Sequence, residues 1–337
     1  MHYSIFSVQD HYPALQRSLP EFYQQLMEQG VLADQLGYDT FFVAEHHFHE
    51  YGVIPNPAVF LSALSQRTEK IKLGPAISIL PFHHPLDIAE NYAMLDIISS
   101  GRLVLGVGSG YLKHEFEGYD IALEEKRERF DESLAILERA LKGETINSQK
   151  FHSIRNVKIN ILPEQRKVPL YVAALRKEAA YFVGKQGYHL ICIPYASVEH
   201  FSEIQYIAKE HQQGAIDGNK KPLSAIFAFH THIADTDDQA EENAKEAFNL
   251  YIETRLYAKQ QTYDDIIKSG LSLFGSPETV SDKIVELHQM GINHLMLLHN
   301  FGMLCPKLVQ SSMLKFMNEV KPLVDQKIAH SITNSNQ

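Results

Sequence analysis

Thr40-Phe41-Phe42-Val43-Ala44-Glu45-His46-His47-Phe48 begins as a β-branched and aromatic run and ends in an acid and two imidazoles. Gly37 precedes it, and Tyr51-Gly52 and Pro55 follow, so residues 40–46 predict a short buried strand. A core strand has no packing reason to finish in three titratable groups. Its carboxyl end is therefore expected to open into a site, as strand ends do in parallel α/β proteins. On this segment alone a plainer reading stays open, in which His46 and His47 are core or rim histidines.

Outward from that stretch, apolar runs recur at residues 2–8, 71–80, 103–108, 169–175, 190–195, 225–234 and 295–299, which with 40–46 makes eight. Amphipathic stretches separate them. Phe130, Leu134, Leu137 and Leu141 form one apolar stripe on a charged helix, and Val280, Ile284 and Leu287 form another. Ser276-Pro277-Glu278 gives the latter an N-cap, a first-turn proline and a first-turn acid. Gly37, Gly101, Gly143, Gly187 and Gly291 stand where helical patterns stop. Eight strands alternating with helices predict an α/β fold with an all-parallel sheet, closed as a (β/α)8 TIM barrel. Two regions break the repeat. Residues 145–167 predict a hairpin or irregular excursion before the fifth strand, and residues 259–274 a long loop after the seventh, suited to a lid. We expect one barrel domain over residues 1–326 and a polar, disordered tail over 327–337.

The 337 residues suit one barrel with insertions, and 45% hydrophobic with 21% charged residues is an ordinary globular composition. A net charge of −10 argues against nucleic acid as a main partner. No apolar run reaches the roughly 18 residues a membrane span needs. Met1-His2-Tyr3-Ser4-Ile5-Phe6 enters a strand without the basic n-region of a secretory signal, and Cys192 and Cys305 make no disulfide framework. A reducing cytoplasm is the expected location.

Three segments are expected to meet at the carboxyl face. They are Glu45-His46-His47, the small-residue strand Gly74-Pro75-Ala76-Ile77-Ser78-Ile79-Leu80-Pro81, and Gly101-Arg102 with the turn Gly106-Val107-Gly108-Ser109-Gly110-Tyr111. The glycines of that turn allow close backbone approach and exposed N–H groups for a phosphate or a flavin edge. They do not make a dinucleotide fingerprint, because Tyr111-Leu112-Lys113-His114-Glu115-Phe116 follows in place of a third spaced glycine. In this order, with Asn56-Pro57, His84-Pro85 and Gly275-Ser276-Pro277-Glu278-Thr279-Val280, the chain resembles the bacterial luciferase-like flavin monooxygenase family, most densely over residues 1–130.

The resemblance implies a barrel that uses reduced FMN, supplied by a separate flavin reductase, and O2 to oxidise a small organic substrate, as a homodimer. It places His46 beside the flavin's reactive edge as the catalytic histidine, where an imidazole exchanges a proton near neutral pH. Glu45 would fix the tautomer of a neighbouring histidine or serve as a barrel salt bridge. Ala76 and Ile77 match an unusual cis peptide against the flavin ring, and Ser109, Gly110 and Tyr111 match the turn on its ribityl-phosphate side. There are departures. Gly108 stands where luciferases carry a reactive cysteine, and Ser109 where they carry a phosphate-gripping arginine. After the fifth strand, Ala174-Leu175-Arg176-Lys177 replaces hydroxyl residues, with Arg176 and Lys177 at a helix start as the substitute phosphate ligands or as a solvated surface.

These departures keep coenzyme F420 and hydride transfer open as the alternative, with a non-catalytic flavin binder as another. Tyr195, Phe229, His230, His232, Leu297 and His299 lie near strand ends as candidate substrate-pocket residues. His230-Thr231-His232 invites a metal-dependent hydrolase reading, but the carboxylates such barrels add are not in frame, so no metal is expected. Ala58, Leu61 and Leu64 with Ile88, Tyr92 and Leu95 carry apolar surface for either a dimer seam or packing against the barrel.

Overall fold

The computed structural model describes residues 1–50, 52–255 and 261–335, with backbone alone for 332–335. The chain opens with β1 (His2–Ser7), α1 (Leu19–Leu36) and β2 (Thr40–Val43). α2 (Pro57–Ser65), β3 (Lys72–Pro75), β4 (Ser78–Ile79), α3 (Pro85–Ile98) and β5 (Leu105–Gly108) follow. Next come α4 (Lys113–Gly118), α5 (Lys126–Leu141), β6 (Ile146–Ser148), β7 (Ile154–Val157) and β8 (Leu170–Ala173). α6 (Lys177–Gln186), β9 (His189–Cys192), α7 (Ile204–Asp217) and β10 (Ala225–Ile233) continue the alternation. The remainder is α8 (Asp237–Glu253), α9 (Tyr263–Ser269), β11 (Leu273–Gly275), α10 (Pro277–Gln289), β12 (His294–Leu298), α11 (Pro306–Lys315) and α12 (Lys321–Ser335).

The sheet order is β3-β2-β1-β12-β10-β9-β8-β5-β4, parallel throughout, so nine strands occupy the eight positions of a (β/α)8 barrel. β3 and β4 share the third position, because the run expected over 71–80 is interrupted at a cis Ala76–Ile77 peptide. Closure comes from a parallel bridge between Leu73 and Leu103, with Leu73 N donating to Arg102 O and Val104 N to Leu73 O, both at 2.9 Å. Gly74 and Gly106 make that seam possible. A Cβ on Gly74 would lie 2.4 Å from Val104 O, and one on Gly106 2.3 Å from Pro75 O.

The elements form where their patterns place them. Thr40, Phe41, Phe42 and Val43 are all buried, and burying a phenylalanine ring stabilises by about 1.5–3 kcal/mol. α5 buries Phe130, Leu134 and Leu137, and α10 starts at Ser276, whose hydroxyl accepts from Thr279 N with Pro277 in the first turn. The excursion before the fifth barrel position is a hairpin of β6 against β7.

Three expectations need correction. β2 stops at Val43, so Ala44–His47 is irregular backbone at the barrel mouth, anchored by Ala44 N on Ser7 O. Of the loop read over 259–274, Lys259 and Gln260 lie outside the described residues, and the rest contains α9 and β11, which pairs with β10. Tyr263, Ile266, Leu271, Leu273 and Phe274 are buried there, in runs too short to show a period. The tail read as disordered from Lys327 continues α12 to Ser335. Val324 is buried, and Lys327 pairs with Glu278 at 2.7 Å and Asp282 at 2.6 Å, so ion pairs rather than apolar periodicity hold it.

The closure seam carries the first prediction. Gly106→Ala should lower unfolding stability by about 2–3 kcal/mol, because the new methyl meets a main-chain carbonyl that cannot swing away. Urea denaturation measures this, and an unchanged midpoint would show that the seam tolerates separation.

Candidate active site

The segment Glu45-His46-His47 leaves β2 buried, at 2%, 7% and 5% exposure. A buried carboxylate is costly unless its oxygens are hydrogen-bonded, and both acids of the site are. Glu45 takes four donors. His47 Nε2–H reaches its Oε1 at 3.0 Å and His83 Nε2–H at 2.6 Å, while Ser78 Oγ and Ile79 N donate to Oε2 at 3.2 Å each. Burial alone would raise the Glu45 pKa; the bonds from His47 and His83 outweigh it and hold the acid below its ordinary value. Burial would lower the pKa of His83, but the bond and charge of Glu45 raise it.

His46 has a different partner. Its Nδ1–H donates to Glu115 Oε1 at 3.1 Å, and the His47 main-chain N donates to the same oxygen at 2.9 Å. Glu115 is buried in α4, just beyond the glycine turn that ends β5. With Nδ1 carrying the proton, Nε2 is the basic nitrogen of the neutral ring. Gly52 packs so closely that a Cβ there would sit 2.1 Å from His46 Cβ. His114 Nε2 donates to His47 O at 3.1 Å, and Tyr119 OH donates to His47 Nδ1 at 3.0 Å once Nε2 holds the proton shared with Glu45.

The expected cofactor residues lie on neighbouring strand ends. Ala76 and Ile77 flank the cis peptide, and Ile79 pairs with Gly108 in the β4–β5 register. Gly108 gives room to Ile77, whose Cδ1 would be 2.1 Å from an added Cβ. Gly110 has φ +69° with Ile79 and Phe116 around it; Ser109 is half-buried, and Tyr111 is 41% exposed. Ala174 is buried and Leu175 half-buried, while exposed Arg176 is the N-cap of α6. Arg176 and Lys177 line a cleft of about 270 Å³ with Ser197, and Glu178 and Glu203 also border it. Close-set glycines and a helix N-terminus with two cations fit a flat ligand with an anionic arm.

His230 and His232 are buried. Among the described residues one metal-ligating group of three appears, Glu45, His47 and His83, and its members already hydrogen-bond one another. Residue-level reading expected Glu45 to orient a histidine, which it does for His47 and His83 rather than for His46. It missed Glu115, His83 and Tyr119. The acid in Leu112-Lys113-His114-Glu115-Phe116, next to an apolar residue in a short helix, was the available signal.

The site is thus a buried histidine–carboxylate cluster at the carboxyl ends of the strands of a parallel barrel. Residues 1–294 match the model of the luciferase-like monooxygenase family, and the chain belongs to that family. It is 27% identical over 286 residues to the limonene 1,2-monooxygenase of Rhodococcus erythropolis, covering 79% of this chain and 72% of that protein. It is similar to the crystal structure of monooxygenase RslO1 from Streptomyces bottropensis, with TM-score 0.89 and 26% identity over 96% of this chain and 99% of that one. The oxygenating constituent of 3,6-diketocamphane monooxygenase from Pseudomonas putida, solved with FMN, shares the fold, with TM-score 0.84 and 20% identity over 96% and 98% of the chains. F420-dependent enzymes are also among the relatives.

The Glu45–His83 pair makes a pH prediction. His83 is raised above its ordinary 6.5, so its share of stability is complete below that pH and is lost as pH climbs through the folded value. Glu45 is held below its ordinary 4.5, so its share is present above that pH and is lost as pH falls through the folded value. His83→Gln keeps a donor but removes the charge. The melting-temperature gap between the two proteins should be widest near about pH 5.5 and shrink by about pH 9. A gap that widens toward alkaline pH would contradict the ion pair.

Proposed function

We propose that the chain is the oxygenase component of a two-component, FMN-dependent monooxygenase that acts on a small organic substrate. The observation that carries this reading is His46 at the barrel mouth, its Nδ1–H fixed on buried Glu115 next to the glycine turn after β5. The balanced reaction is substrate + O2 + FMNH2 → oxygenated substrate + FMN + H2O, so a separate flavin reductase supplies FMNH2. Relatives that are named monooxygenases, one of them an oxygenating constituent solved with FMN, support it.

Bound reduced flavin supplies the electron pair that activates O2. The chain's own residues do the rest. Ser109, Gly110 and Tyr111 would hold the flavin through the turn's backbone, and Ala76 and Ile77 would lie against its ring. Ala174, Leu175 and Arg176, with Lys177, would take the phosphate, where the α6 N-terminus and two cations favour a dianion. His46 holds or gives a proton at Nε2, because Glu115 keeps Nδ1 occupied. Glu45 acts one step back, fixing His47 and through it the backbone that carries His46.

We place this enzyme in the cytoplasm, as a homodimer. Among the described residues no helix is long and apolar enough to cross a membrane, and Cys192 and Cys305 are free thiols. The apolar residues first considered for a dimer seam, Ala58, Leu61, Leu64, Ile88, Tyr92 and Leu95, are buried in the core. The exposed apolar residues that would suit such a seam are Val59 on α2 and Met94, Ile97 and Ile98 at the end of α3, at 67%, 48%, 42% and 42% exposure.

Anaerobic titration with reduced FMN and, in parallel, reduced F420 tests the reading. Reduced FMN should bind tighter by about tenfold or more, a difference of about 1.4 kcal/mol. Selective F420 binding would replace oxygenation by hydride transfer. His46→Ala should keep flavin affinity while substrate turnover falls by about 10²-fold; unchanged turnover would remove His46 from the chemistry.

A further inference from the structure

The acid–imidazole cluster around Glu45 has a capacity that the flavin chemistry does not use. Glu45 and His47 stand two residues apart just after β2, and His83 comes from the turn before α3. Both imidazoles bring the same nitrogen to the same atom: His47 Nε2 lies 3.0 Å and His83 Nε2 2.6 Å from Glu45 Oε1. One ligating atom from each of the three lies within 4.8 Å of the others. Two imidazole nitrogens and a carboxylate oxygen are the protein ligands of an open zinc site, whose fourth position is left to water.

In a tetrahedral site with bonds of about 2.0–2.1 Å, neighbouring ligand atoms stand about 3.3 Å apart. Side-chain shifts of under about 1 Å would open the present 3.0 and 2.6 Å contacts to that spacing. The surroundings already aim the ligands, as a metal site requires. Ser78 Oγ and Ile79 N donate to Glu45 Oε2 at 3.2 Å each and fix the carboxylate. Tyr119 OH lies 3.0 Å from His47 Nδ1. A hydroxyl donates or accepts, so it serves equally when the His47 proton moves from Nε2 to Nδ1. Phe82 and Tyr119 stack at 4.9 Å and stand edge-on to the His47 ring at 5.8 and 5.1 Å, which holds that ring in place. His83, with a side chain 23% exposed, is the open side through which an ion enters.

Charge points the same way. Glu45 and Glu115 are 2% and 1% exposed. Their partners are imidazoles, a serine hydroxyl and main-chain N–H groups, and among the described residues no lysine or arginine pairs with either. Two buried carboxylates call for counter-charge, which a histidine supplies only when protonated. A divalent cation bound to one of them supplies it outright.

We propose that Glu45, His47 and His83 form a zinc-binding site at the barrel mouth, taking one Zn2+ per chain and separate from the flavin. His46 is not a ligand, because its Nδ1 stays on Glu115. The ion clasps the end of the second barrel position to the turn after the third, where hydrogen bonds through Glu45 now do so. Each imidazole binds through Nε2 as the neutral ring, so any proton beyond one per ring passes to solvent. Nitrogen donors select Zn2+ over Mg2+ and Ca2+, which prefer oxygen ligands. The site needs neither flavin nor oxygen chemistry, so it stands or falls apart from the monooxygenase reading.

The test is competition for Zn2+ between the full-length protein, first dialysed against a chelator, and a chromophoric chelator of known affinity. One Zn2+ per chain should bind with a dissociation constant of about 1 μM or tighter. Mg2+ in about a thousandfold excess should not displace it. His83→Gln removes a ligand and should weaken Zn2+ by about 100-fold, whereas Tyr119→Phe removes only a ligand's partner and should weaken it by about tenfold. X-ray absorption of the Zn2+-loaded, unmodified protein should show two imidazoles with one or two oxygens at about 2.0–2.2 Å. That spectrum decides the matter even if a variant does not fold. Binding below one Zn2+ per chain, displacement by Mg2+, a shell with fewer than two imidazoles, or an affinity that His83→Gln leaves unchanged would overturn the proposal. The cluster would then be a hydrogen-bonded brace and nothing more.

Discussion

One carboxylate oxygen organises the mouth of this barrel. Glu115 Oε1 receives the His46 Nδ1–H and the His47 main-chain N–H together, tying the irregular end of β2 to the short helix after β5. Without that acceptor two donors would be stranded in a buried place, at a cost of about 1–3 kcal/mol each. The bond fixes the position and tautomer of the imidazole. It also draws the glycine turn and the histidine segment to one side of the mouth.

The second acid divides the labour. Glu45 is saturated by His47, His83, Ser78 and Ile79, donors from β2's end, from β4 and from the turn before α3. It is thus a staple between the second and third barrel positions, across the place where the third position is broken. The two neighbouring histidines differ accordingly. His47 is locked between Glu45 and Tyr119, whereas His46 is held through Nδ1 by Glu115. Adjacent residues of one type are thus set apart by partner choice alone.

The barrel was legible in the sequence because its strands are buried on both faces and read as apolar runs, and its helices carry one stripe each. Thr40–Val43 and the stripe on α5 are direct instances. The break in the third strand was legible only through family resemblance, since Ala76-Ile77 has no distinguishing composition. The hidden helix and strand over residues 263–275 escaped because their apolar residues are too few to set a period. Partner choice escaped for another reason. Glu115 lies 69 residues from His46, and His83 lies 38 from Glu45, so the contacts exist only once the barrel closes. The histidine pair was readable as a site; which acid serves which histidine was not.

Nitrogen-15 NMR of histidine-labelled protein, with the His46 signals identified by their loss in His46→Ala, tests the central claim most directly. The account predicts that neutral His46 carries its proton on Nδ1, where Glu115 accepts it. A proton on Nε2 would contradict it and return His46 to the rank of an ordinary rim histidine.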